Sequence, residues 1–124
     1  MKEQLISFET AVLAKNNHVE IESYEFYTHR GDLCKDLNFN NQSQYDGSYG
    51  VYTQSLLQKW FRHSKNVHIV LYPKTFGNNN LCLYDCSIYV VCKNGNKCYP
   101  LNIECSYEEA LEKGLQEAFK YINK

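Results

Sequence analysis

The dipeptide Asn94-Gly95 lies between two stretches of alternating apolar residues, and this combination constrains the chain more than any other feature. Asn-Gly suits the two central positions of a type I′ turn, whose positive φ angles match the twist of the strands it joins. A tight reversal there pairs Lys93 with Asn96, Cys92 with Lys97, Val90 with Tyr99, Ile88 with Leu101 and Cys86 with Ile103. In a hairpin from about Leu83 to Glu104, one face then carries those two cysteines with Ile88, Val90, Tyr99, Leu101 and Ile103. The other carries Asp85, Ser87, Tyr89, Val91, Cys98, Pro100 and the flanking polar residues. The first face needs a cover and the second can meet water, which makes the register self-consistent.

The cover is supplied by the last segment. Ser106 followed by Glu109 reads as a capping box, and Tyr107, Ala110, Leu111, Gly114, Leu115, Ala118, Phe119 and Ile122 recur at helical spacing. A glycine inside a helix costs about 1 kcal/mol relative to alanine. Gly114 therefore predicts a close approach, read as another backbone passing beside it.

Upstream, Ser7 caps a helix expected over about 7–16, ended by Asn16-Asn17. His18 to Thr28 reads as a strand, with a bulge or break near Ser23 where the apolar parity changes. Residues 29–51 are rich in Asn, Gln, Ser, Asp and Gly and are expected to form a long polar loop, or a partly disordered stretch, in preference to strands that its scattered aromatics would pin. Thr53 then caps a helix over about 53–64 whose stripe is Leu56, Leu57, Trp60 and Phe61. Val67 to Tyr72 is β-branched with two fairly apolar faces, which points to a central strand stopped by Pro73, and Thr75 to Asn80 is a loop. The expected fold is a single α+β domain over residues 1–124, with an antiparallel or mixed sheet of three to five strands and about three helices mainly on one face.

Composition closes several functional classes. Thirteen Lys plus Arg against fourteen Asp plus Glu leave a net charge of −1, which provides no general attraction to nucleic acid. No apolar run reaches membrane-spanning length, and the first fifteen residues lack an uninterrupted apolar core, so a cytoplasmic protein with reduced thiols is expected. Six cysteines invite a zinc reading, yet Cys82, Cys86, Cys92 and Cys98 do not show paired C-x2-C spacing, and the hairpin turns Cys98 away from Cys86 and Cys92. Free cysteines, with no metal and no cofactor, are the expectation. Neither G-x-S-x-G, H-E-x-x-H nor a phosphate-binding glycine loop is present, and no catalytic residue is assigned.

Eleven tyrosines point instead to recognition, since tyrosine joins rigid contact area to a polar tip. The candidate surface is Trp60, His63, His68 and Tyr72, with Tyr45 and Tyr49 from the polar loop.

Three blocks add a resemblance. Phe8-Glu9-Thr10-Ala11, the run from Thr53 to Arg62 followed by Val67-His68-Ile69-Val70, and the run from Tyr107 to Ala118 together resemble small uncharacterised proteins of phages, prophages and other mobile elements of gut Bacteroides-type bacteria. A weaker likeness joins Tyr107–Ala118 to the helix of HicB-type antitoxins. The first resemblance implies a mobile-element protein and carries no activity of its own; the expected function is that of a small cytosolic accessory protein acting by binding, with a host protein as first partner, as a homo-oligomer. The alternatives are a ligand trap for a small molecule or nucleotide, and an antitoxin-like module.

Overall fold

The computed structural model describes residues 4–22, 25–35, 49–76 and 81–122. The fold is α+β, with three α-helices and two antiparallel three-stranded sheets. The chain divides into two compact units, residues 1–57 and 58–124, with the division inside the second helix.

In the first unit, α1 (Phe8–Asn16) starts where expected, with the Ser7 side chain accepting from the Thr10 N–H at 3.2 Å. Ala11 and Ala14 are buried on its inner side. The short strands β1 (Glu25–Tyr27), β2 (Leu33–Lys35) and β3 (Tyr49–Val51) form a sheet in the order β2-β1-β3. Two expectations change here. Residues 18–22 are not a strand: His18 takes a left-handed φ of 59°, and Val19 N–H bonds back to Ala14 C=O at 3.0 Å, so this stretch finishes the helix turn. The segment read as a polar loop over 29–51 carries β2 and β3 at its ends. Both owe their pairing to β1, and neither has the length for alternation to reveal it. The parity change at Ser23 and the loop position Tyr45 lie outside the described residues.

Helix α2 (Gln54–Ser64) begins at Thr53, whose hydroxyl accepts from Leu56 N–H at 3.3 Å. Leu57 and Phe61 are fully buried, whereas Leu56, expected in the same stripe, is 45% exposed.

The second unit is built on β4 (Val67–Phe76), β5 (Leu81–Val90) and β6 (Lys97–Pro100), in that spatial order. Strand β4 was expected to be central and to stop at Pro73; it is an edge strand and runs on to Phe76, opposite Leu81. An edge strand tolerates proline where the missing N–H faces away from its partner. Thr75 therefore belongs to a strand, and the remaining turn positions 77–80 lie outside the described residues.

The β5–β6 hairpin keeps its two faces and changes its register. Ile88 pairs with Tyr99 and Val90 with Lys97, two residues displaced from the expected partners. The tight turn is Cys92 to Gly95, closed by Gly95 N–H to Cys92 C=O at 3.2 Å, and Asn94 is not left-handed, so the type I′ turn does not form. A displacement of two leaves every side chain on its original face. Farther along, Tyr84 pairs with Cys105 through 2.8 and 3.2 Å hydrogen bonds, in the offset that would have set Cys86 opposite Ile103. The two registers meet in a bulge: Asn102, Ile103 and Glu104 stand opposite Asp85 alone, with Asn102 at φ 58°.

Helix α3 (Tyr107–Ala118), capped by Ser106 accepting from Glu109 N–H at 3.3 Å, covers the inner face of this sheet and runs into a 3-10 turn at Phe119–Tyr121. Val67, Ile69, Cys86 and Ile88 meet Leu111, Leu115 and Phe119 in the core, where Phe61 packs edge-on against Phe119 at 4.8 Å. Tyr121 stacks on Tyr99 at 4.2 Å. The close approach at Gly114 is real, but it is to side chains: an added Cβ would stand 2.6 Å from Cys86 Sγ and 2.8 Å from Ile69 Cγ2.

Candidate functional site

Because α3 covers only one face of the β4-β5-β6 sheet, the alternation of each strand assigns the rest to the outer face. Pairing places His68, Tyr89 and Cys98 in one cross-strand row, Val70, Ser87 and Pro100 in the next, and Tyr72 beside Asp85 in the third. Val70 is 41% and Tyr89 39% exposed, and Cys98 and Pro100 are exposed with them. His68 and Tyr72 are half-buried. The Tyr89 hydroxyl is within hydrogen-bonding reach of the Cys98 thiol, and that interaction pushes its phenol above the ordinary range.

At one end of this face sits the most constrained polar group of the unit. Asp85 has no exposed surface, and its Oδ1 accepts from Cys86 N–H at 2.7 Å and Ile103 N–H at 2.9 Å. Lys74 Nζ lies 2.9 Å from Oδ2 as the counter-charge, although its angles fall short of a hydrogen bond. Desolvation pushes the carboxyl up; Lys74 and the two backbone donors outweigh it and hold Asp85 below its ordinary value. Close contact with the Asp85 carboxylate raises Lys74 in turn, against a smaller desolvation effect. The aspartate thus substitutes for the ladder partners that the bulge removes, which is why three residues can stand opposite one.

Of the residues singled out from the sequence, His68 and Tyr72 share this face. Trp60 and His63 do not belong to its rows. Trp60 is half-buried on α2, edge-on to Phe61 at 5.2 Å with Lys65 Nζ 5.8 Å from its ring, and His63 is exposed in the last turn. Tyr49 is in the first unit, packed edge-on to Phe8 at 5.6 Å and capped by Lys15 Nζ at 5.0 Å, while Tyr45 lies outside the described residues. Val70, Tyr89 and Pro100 went unselected, although the alternation around the hairpin had already put Tyr89 and Pro100 on one side.

The outer face has little chemistry beyond contact. His68 and Cys98 share a row with Tyr89 between them, and two interstrand spacings separate them by about 10 Å, too far for a Cys–His pair. Among the described residues no three His, Cys, Asp or Glu side chains gather as a metal site. The six cysteines are free thiols in different settings: Cys82, Cys92 and Cys98 exposed, Cys34 and Cys105 half-buried, Cys86 buried under α3. Burial pushes the Cys86 thiol up to about 12. Iodoacetamide at pH 8 should therefore label Cys82, Cys92 and Cys98 within minutes and spare Cys86 until denaturant is added; peptide mass mapping of the native protein reads the difference.

In the first unit, Ala11, Ala14, Lys15, Val19, Gly50 and Tyr52 help line a pocket with about 10 Å³ open to a water centre, room for a single water. The Tyr52 hydroxyl is buried without a hydrogen-bond partner, and desolvation raises its pKa. No helix among the described residues is long and apolar enough to cross a membrane. No protein-family model, curated protein or solved structure matches the chain.

Proposed function

We propose that the protein acts by binding another protein through the outer face of the β4-β5-β6 sheet. The observation that carries this reading is the exposed part of that face: Val70, Tyr89 and Pro100 present apolar and aromatic surface around the buried Ser87 and beside half-buried His68 and Tyr72, while α3 closes the opposite face. Tyrosine and valine on a rigid sheet lose little side-chain freedom on contact, which favours association. A net charge of −1 argues against a polyanion as the partner. The pocket described in the first unit holds a water and is far below the several hundred Å³ that a nucleotide needs, so it does not serve as a ligand trap.

The resemblance of the three sequence blocks supports a mobile element as the setting, and a host protein is the partner proposed for such an accessory protein. Self-association, where it occurs, uses the same face in this reading. Affinity capture from host lysate should recover a protein with the wild-type chain and lose at least about 90% of it with Val70→Glu/Tyr89→Glu, since charge at the centre of an interface commonly costs 2 kcal/mol or more. Equal recovery by wild type and a folded double variant would move binding to another surface.

A further inference from the structure

We propose that Pro73, Pro100 and Gln58 keep a second copy of this chain from adding its strands to the β4-β5-β6 sheet, so that the sheet offers a face and no edge. In an antiparallel ladder each residue directs its N–H and its C=O to the same side. Val91 N–H donates to Asn66 C=O at 3.0 Å, one step beyond the Val67–Val90 pair, and this sets the alternation. Even-numbered residues of β4 bond β5; positions 67, 69, 71, 73 and 75 direct their backbone groups away from it.

That outward edge is blocked at two places. Gln58 Nε2, from α2, donates to Ile69 C=O at 2.9 Å and occupies an acceptor that an incoming strand would use. Two outward positions later comes Pro73, exposed, whose ring replaces the donor and whose position leaves the β5 ladder intact. The other edge follows the same rule. Leu101 N–H donates to Cys86 C=O at 3.0 Å, which with the Ile88–Tyr99 pair turns positions 97, 99 and 101 toward β5. Only Cys98 and Pro100 are left facing outward on β6, and Pro100 has no N–H to offer. The chain has two prolines, and each occupies an outward position on one of the two edge strands.

The test is Pro73→Thr/Pro100→Thr, which restores both donors with a residue that favours strands. Sedimentation should show a mass at least about twofold above wild type, rising with concentration, together with an intermolecular β-sheet band in the infrared spectrum. A double variant with wild-type circular dichroism and wild-type mass over the same concentrations would overturn the proposal. A measurement on the unmodified protein decides the matter if the variant does not fold. In dilute wild type the outward Leu71 N–H should exchange with deuterium at least about a hundredfold faster than the inward Val70 and Tyr72 N–H groups; equal protection of all three would mean that the edge is already paired, and the proposal fails.

Discussion

Asp85→Ala is expected to lower the stability of the second unit by about 3–5 kcal/mol at neutral pH, as read by urea unfolding. The carboxylate is fully buried, answers two backbone N–H groups and neutralises Lys74. Alanine leaves the Cys86 and Ile103 donors without a partner in a bulge that cannot supply carbonyls in its place. Asp85→Asn keeps an acceptor for those donors and loses the charge facing Lys74, so it should cost roughly half as much. The pH dependence has a defined sign. The folded-state pKa of Asp85 lies below its ordinary value of 3.8, so its stabilisation is complete above the unfolded-state value and is lost as pH falls through the folded one. Lys74 is raised above 10.5, so its share is present below that value and fades as pH climbs through the folded pKa. Wild type and Asp85→Ala should therefore differ most between about pH 5 and 9 and converge in acid. A constant difference from pH 7 to pH 2 would assign the loss to packing rather than charge.

Gly114→Val should be nearly as damaging, at about 3 kcal/mol. Its Cβ would fall 2.6 Å from Cys86 Sγ and 2.8 Å from Ile69 Cγ2, both on the sheet beneath the helix. Gly114→Ala gains about 1 kcal/mol of helix propensity but places the same atom in the same contact, so a net loss remains. Trimming the opposing sulfur provides the internal check. In a double-mutant cycle, Cys86→Ala should cost less when position 114 is alanine than when it is glycine, by about 1 kcal/mol. Additive losses would show that the helix shifts to accommodate the methyl group instead of pressing on Cys86.

Helix starts were legible in the sequence because each depends on a few adjacent residues: Ser7, Thr53 and Ser106 cap where their spacing to the following apolar stripe requires. The faces of the β5–β6 hairpin were legible for the same reason. Its register was not, because pairings offset by two residues satisfy the same alternation. What goes with the observed offset is the Ile103 N–H donating to Asp85 Oδ1 and the left-handed Asn102, both made in the bulge. Strand β4 was misplaced in the sheet because its two apolar faces have different causes: Val67 and Ile69 enter the core, while Val70 remains at the surface. Of the candidate site, His68 and Tyr72 were found as aromatic or ionisable residues on a β-branched strand, but Val70 and Tyr89 become neighbours only through the β4–β5 pairing.

The outer face of that sheet is the surface proposed for binding. Its most direct test is photo-crosslinking in host cells, with a benzophenone amino acid placed at position 89 on the outer face, or at the exposed position 108 on α3. Crosslinks to a single partner from position 89, absent from position 108, are the predicted result. The same partner captured from position 108 and not from position 89 would contradict it.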